Sequence, residues 1–253
     1  MSTDRETNGE MSTSSQTIVV TGASGDIGLA IVERLIADGF HVAACCRSKA
    51  DRIRATFADP SKVTIHQLNL RNADSIKSCA SAIIKESQYI SGLVNSAGLA
   101  QGSLTAMTRI SDMRDVFEVN LFGPLQFTQY ITKKMMRQKS GAIVNITSTA
   151  GILGDSGTLA YGGSKAALAH ASRVMATEFG PLGIRVNAVA PSAVASAMAD
   201  QMDEVARERL SDREALAGET LPSDVANIVG YLLSDSASAV SGQVIRVDRA
   251  MPF

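Results

Sequence analysis

The chain has 253 residues, 45% of them apolar and 19% charged, with a formal net charge of −1. That composition excludes wholesale disorder, and the balanced charge gives no global attraction to nucleic acid or an anionic membrane surface. No apolar run approaches the roughly 20 residues that a membrane-spanning helix needs.

Residues 1–16, within MSTDRETNGEMSTSSQT, are polar and Ser/Thr-rich and read as a loose tail, a functional tail being the alternative. They lack the apolar core of a signal peptide. Thr17–Thr21 (TIVVT) then predicts a strand and Ile27–Asp38 a helix, with Leu29, Ile31, Val32, Leu35 and Ile36 buried and Gly39 as its stop. His41–Cys46 and Val63–Leu68 predict the next two strands. A helix around Asp74–Glu86 precedes a strand at Ile90–Asn95. A helix over Asp112–Gln138, a strand at Ala142–Ile146 and a long helix through Tyr161–Phe179 follow. Arg185–Ala190, Ser223–Leu233 and Gln243–Val247 read as strand, helix and strand.

These strands are continuously apolar rather than alternating, so both sheet faces should be covered by helices. Strands separated by helices imply right-handed crossovers and a parallel sheet. The expected fold is therefore α/β, a doubly wound Rossmann-type sheet forming one domain over 17–253, with its ligand crevice at the carboxyl ends of the strands. Cys45 and Cys46 are adjacent and Cys79 stands apart, so no CxxC pair or disulfide framework is present. His41, His66 and His170 lack metal-ligand spacing. A cytoplasmic, metal-free protein is the expectation.

The first strand runs straight into T-G-A-S-G-D-I-G, Thr21–Gly28, and then into a helix. Glycines permit a tight turn, and free N–H groups at a helix start attract a diphosphate. Gly22, Ser24, Ile27 and Gly28 are placed at that diphosphate. Asp26 would repel it unless turned away, and is expected to point outward and cap the first helix; the alternative is that it spoils the site. At the end of the second strand, where an acid commonly holds a ribose hydroxyl, this chain has Cys46 followed by Arg47 and Lys49. A guanidinium suits a 2′-phosphate, so NADP(H) is favoured over NAD(H), with Arg47 as a plain surface charge the alternative.

Tyr161 and Lys165, in Y-G-G-S-K, lie one helical turn apart on one face. A tyrosine ordinarily holds its proton to about pH 10, and a nearby ammonium would lower that value. Such a pair is common by chance in helices. Ser148, after the strand Ala142–Ile146, can reach the same crevice.

With these motifs the sequence resembles the short-chain dehydrogenase/reductase superfamily, and within it the 3-oxoacyl-[acyl-carrier-protein] reductase-like group. The resemblance runs from Thr17 to Asp248 through TGASGDIG, N-S-A-G at Asn95–Gly98, Asn120 in EVNLFG, Ser148 in NITSTAG, Tyr161, Lys165, IRVNAVAPSAVASAM, PSDVA and SGQVIRVD. It implies a nicotinamide-dependent oxidoreductase acting between carbonyl and alcohol. Tyr161 would be the general acid, Lys165 would hold the nicotinamide ribose and lower the tyrosine pKa, Ser148 would bind the substrate oxygen, and Asn120 would hold a relay water. Asn69 and Leu70 would flank the adenine, Asn95, Ala97 and Gly98 would line the cleft, and Pro191, Val194 and Ser196 would cover the nicotinamide. A homo-oligomer, tetramer or dimer, is implied.

Several positions depart from the pattern. Asp26 stands where a short member carries its second glycine, giving the TGxxGxxG spacing of longer epimerase-type members. Asn69 replaces an Asp, Ser192 a Gly, Ser196 a Thr, and Arg249–Ala250 a Gly-Gly that relatives use near subunit contacts. Substrate choice should lie in a lid over 193–221 containing Met198 and Met202. Lys133, Lys134, Arg137 and Lys139 offer a basic rim for an acidic carrier protein or else form the solvated end of a helix, while Leu182 argues against a carrier. An acyl thioester, another ketone, a sugar or a cyclic alcohol all remain as substrates. A non-redox epimerase or dehydratase and a non-catalytic dinucleotide sensor are the rival readings.

Overall fold

A computed structural model describes residues 16–196 and 212–252. Its centre is a seven-stranded parallel sheet in the order β3-β2-β1-β4-β5-β6-β7. The strands are β1 (Gln16–Thr21), β2 (His41–Cys46), β3 (Val63–Gln67), β4 (Tyr89–Asn95), β5 (Gly141–Ile146), β6 (Ile184–Pro191) and β7 (Val244–Val247). The chain runs outward from β1 to β3, returns across β1 to β4 and continues outward to β7, so the strand order reverses between β1 and β4. That reversal opens a crevice at the carboxyl ends of those strands.

Helices α1 (Asp26–Ala37), α2 (Ala50–Thr56), α3 (Ala73–Glu86), α4 (Ile110–Phe117), α5 (Gly123–Gln138), α6 (Leu159–Phe179) and α7 (Pro222–Leu233) make the crossovers. Val20, Ala44, Val94 and Val144 face α1 and α7, while Val19, Ala43, Leu93 and Ile143 face α3, α5 and α6. Neighbouring residues of each strand thus enter different cores, which explains the unbroken apolar runs. Cys45, Cys46 and Cys79 are buried free thiols.

Most elements match the sequence reading within two residues. β1 begins at Gln16, one residue inside the expected tail, and residues 1–15 lie outside the described region. Gly39, at φ +90°, completes α1 with paired bonds, Gly39 N–H to Ile36 O and Phe40 N–H to Leu35 O. Helix α2, absent from the sequence reading, follows Lys49 in a left-handed conformation.

The expected helix over 112–138 is instead three pieces: α4, a π-helical turn at Glu118–Phe122, and α5. The cause is local. Pro124 has no N–H to give the Asn120 carbonyl in an α-helical register, so the ladder is interrupted there. Gly123 meanwhile packs where a Cβ would lie 2.4 Å from Leu70 O.

Phe127 of α5 is fully buried in the core formed with β4 and β5. Phe127→Ala should cost about 3–5 kcal/mol, seen as an earlier midpoint in denaturant unfolding; an unchanged midpoint would show that the α5 face does not carry the fold.

Candidate active site

Helix α6 sets the first group of side chains. Gly162 packs so tightly on the turn after β5 that a Cβ would lie 2.4 Å from Ala150 O, and in return a Cβ on Gly151 would lie 2.7 Å from Ala166 N. This glycine-to-glycine seam seats the start of α6 against Ser148. The Ser148 hydroxyl consequently faces the Tyr161 phenol closely enough to lower its pKa. Ser148 Oγ also accepts from Ala150 N–H at 3.2 Å and lies 3.5 Å from Pro191 O.

Lys165, one turn further on, is 3% exposed. Its Nζ donates to Ile146 O at 2.8 Å and stands 5.8 Å from the centre of the Tyr161 ring. Burial lowers the ammonium pKa to about 8. The Tyr161 phenol lies above its ordinary value, because burial outweighs the opposing hydrogen bond from Ser148. The expectation that Lys165 pulls the phenol down is therefore not met in this state: dehydration of the ring dominates.

Asn120, in the π-helical turn, is fully buried behind Lys165. Its Oδ1 accepts from Leu99 N–H at 2.7 Å, and its Nδ2 donates to Leu99 O and Ser164 Oγ, both at 3.0 Å. The side chain thus ties the loop after β4 to α6. Gly98 lies in that loop, where a Cβ would be 3.4 Å from Lys165 Nζ.

The phosphate loop lies across the strand-order reversal. Gly22, at φ +67°, passes so close to Ala97 that a Cβ would lie 2.6 Å from its backbone N, and a Cβ on Gly28 would lie 2.2 Å from Gly22 O. Thr21 Oγ1 accepts from Ser96 and Ala97 N–H, joining the ends of β1 and β4. The N-cap of α1 is Gly25, which has no side chain to cap the helix. Its first-turn N–H groups are left for an anion. Asp26 is not the N-cap, as the sequence suggested, but the first helical residue; its carboxylate takes a guanidinium N–H from Arg52 at 2.6 Å. Ser24 Oγ donates to Ser48 O, which sets the loop beside Arg47, an exposed residue at the end of β2.

The remaining residues flank this crevice unequally. Asn69 spends its Oδ1 on Arg71 N–H, and Leu70 is buried beneath it. Asn95 sends its Nδ2 to Thr128 and Asn145, away from the loop, with Oδ1 buried and unpartnered among the described residues. Pro191 ends β6, Val194 bridges to Thr220, and Ser196 Oγ donates to Val194 O.

Of the expected lid, Met198, Met202 and the charges between them lie outside the described residues. Its return is fixed by Arg213 to Asp155 at 2.7 Å, Ser192 Oγ to Glu214 at 2.7 Å, and Arg249 to the carbonyls of Ala217 and Glu219. Sequence reading had missed Arg52, Asp155 and Arg213, and it had named Arg249 only as a departure from a Gly-Gly, without the clasp it makes. The proposed basic rim needs correction. Lys133, Lys134, Arg137 and Lys139 occupy the carboxyl end of α5, where β5 begins, at the opposite end of that strand from Ser148 within one chain.

A buried ammonium with one hydrogen bond among the described residues, beside an uncapped glycine loop, can receive a polyhydroxylated anion and an oxygen to be protonated. The family profile described as short chain dehydrogenase matches residues 16–206. The 3-oxoacyl-[acyl-carrier-protein] reductase FabG of Staphylococcus aureus is 33% identical over 240 residues, 92% of this chain and 96% of that protein. Its namesake from Thermotoga maritima is 34% identical over 233 residues, 91% and 95% of the two chains. Among solved structures, gox2181 superposes with a TM-score of 0.88 at 25% identity, covering 93% of this chain and 95% of that one. A putative short-chain dehydrogenase/reductase from Burkholderia xenovorans gives 0.86 at 28% identity, covering 94% and 96%.

Gly28→Ala should displace the loop and lower stability by about 1–3 kcal/mol; a thermal melt identical to the parent's would show that the close approach to Gly22 is not needed.

Proposed function

The chain belongs to the short-chain dehydrogenase family and is an oxidoreductase, and from that premise we propose that it reduces a ketone with NADPH, a 3-oxoacyl thioester being the favoured substrate class. One observation carries the reading: the Ser148 hydroxyl faces the Tyr161 phenol one helical turn from a buried Lys165, beside a glycine loop whose helix has no side-chain cap. The dinucleotide, when bound, supplies the hydride.

The protein's residues do the rest. The amides of Ser24, Ile27 and Gly28 hold the diphosphate, and Arg47 favours a 2′-phosphate. Lys165 has donors left for the ribose hydroxyls. Ser148 donates to the substrate oxygen as charge gathers there. Tyr161 then gives that oxygen its proton, and the raised phenol pKa keeps the acid loaded at neutral pH. The Lys165 charge steadies the phenolate left behind. Both Asn120 amide hydrogens are used inside the protein, so a relay water would fall to its main-chain carbonyl, which Pro124 deprives of its α-helical partner.

The thioester preference draws on the names of the relatives; the four basic residues of α5 do not add to it, because they lie at the other end of β5 from Ser148. NADPH consumption should be measured against β-ketoacyl thioesters, diketones, sugars and cyclic ketones, and repeated with NADH. The thioester and NADPH should give the highest kcat/KM, and a better sugar or cyclic ketone would displace that choice. The same reading makes the protein a cytoplasmic homo-oligomer, tetramer or dimer. Met107, Ile110 and Phe122, exposed apolar residues at and around α4, are consistent with a buried subunit face.

Tyr161→Phe should lower kcat by about 10²–10⁴-fold while the NADPH dissociation constant stays within about threefold, since the phenol is given no role in cofactor affinity. A variant as fast as the parent removes Tyr161 as the acid. The pH profile has a definite sign. The Lys165 charge is present below a pKa of about 8 and lost above it, whereas Tyr161 keeps its proton there. Reduction, as kcat/KM, should therefore be level below that pH and fall above it; a rate climbing from pH 7 to 9 would contradict the assignment.

A further inference from the structure

Asp26 places a carboxylate in the first turn of α1, where the free N–H groups and the helix dipole would otherwise serve an incoming anion alone. An acid there favours the empty helix and repels a diphosphate. The second crossover answers it. Lys49, in its left-handed conformation, turns the chain into α2, which carries Arg52 back over the glycine loop. One guanidinium nitrogen donates to Asp26 Oδ1 at 2.6 Å and the other to Ser24 O at 3.0 Å, so Arg52 spans both sides of Gly25. Asp51, the nearest acid on α2, is engaged separately by Arg54 at 2.7 Å.

We infer that Arg52 is a positioning residue for dinucleotide binding: it neutralises Asp26 and fixes the loop backbone so that the glycine loop accepts a diphosphate. This rests on the proposed function of that loop. As a contributor to stability the pair is ordinary, because the two side chains are 43% and 20% exposed and partly screened. Its weight falls on binding, where a carboxylate no longer neutralised by Arg52 would repel a doubly charged ligand at short range.

The test is calorimetric titration of NADPH and of NADH into four proteins: the parent, Arg52→Ala, Asp26→Asn, and the double variant, with thermal melts alongside. Arg52→Ala should weaken both dinucleotides on the order of tenfold, less so at high salt. The double variant should return within about threefold of the parent, and Asp26→Asn alone should bind as tightly or tighter. Unchanged affinity in Arg52→Ala overturns the inference. So does a loss confined to NADPH that Asp26→Asn fails to rescue, which would make Arg52 a direct 2′-phosphate contact. If Arg52→Ala melts early and the loop is lost, Asp26→Asn still decides, since weaker binding by that variant is the opposite of what neutralisation requires. A parent protein that takes up neither dinucleotide would instead overturn the proposed function, a result separable from all of these.

Discussion

An ammonium seated in the protein interior, answered by a main-chain carbonyl rather than a carboxylate, is the constraint around which this structure is organised. Burying a charge without a counter-charge is unfavourable, and here the lowered pKa of Lys165 is the sign of it. The fold tolerates the charge because several unrelated segments converge on it. Ile146 O ends β5, Gly98 leaves space beside the amine, and Asn120 stitches the β4 loop to Ser164 on the same helix. Each of those features is inexplicable as packing economy. A leucine at position 165 would bury no charge, but it would also give up the bond to Ile146 O that ties α6 to the end of β5.

The rigidity of this arrangement comes from a polar layer beneath it. Asn95, Asn145 and Ser172 form a buried chain that crosses β4, β5 and α6, with Thr128 of α5 joining at one end. Such a network fixes the relative register of its elements more sharply than apolar contact, since each link has a length and a direction. Ser148 follows Asn145 by three residues and Lys165 precedes Ser172 by seven on the same helix, so the layer that locks strand to helix also locks the reactive groups to one another. Asn95, expected to line the cleft, contributes from behind it.

The sheet and its order of elements were legible because strand residues feed two cores and so read as unbroken apolar runs, a pattern local in sequence. Tyr161 and Lys165 were legible through helical spacing, and Ser148 through its place after a strand. What stayed hidden depends on contacts distant in sequence or on main-chain register. The π-helical turn at Asn120 arises from a missing N–H at Pro124, which a side-chain periodicity does not register. Helix α2 is short and begins at a left-handed lysine, so it carries no capping signal, and Arg52 was hidden with it. The raised phenol pKa was also out of reach: spacing gives the neighbouring amine but not the burial that outweighs it.

Two of the departures from the expected glycine pattern, at Asp26 and at Arg249–Ala250, each bring an arginine, whereas Ser192 spends its hydroxyl on Glu214. At Asp26 the added charge is met by Arg52. Near the carboxyl end, where glycines would adopt a left-handed backbone freely, Arg249 and Ala250 hold φ of +49° and +59°, each at a cost of roughly 1–2 kcal/mol. The side chain gained at Arg249 is what a glycine cannot supply. Its guanidinium clasps the carbonyls of Ala217 and Glu219 at 2.7 Å, and its own carbonyl accepts from Leu216 N–H, although Nε is buried unpartnered among the described residues. The strained turn therefore anchors the segment from Leu216 to Glu219 within a single chain. The effect is that this segment, the glycine loop before α1 and the start of α6 are each held in place through different residues.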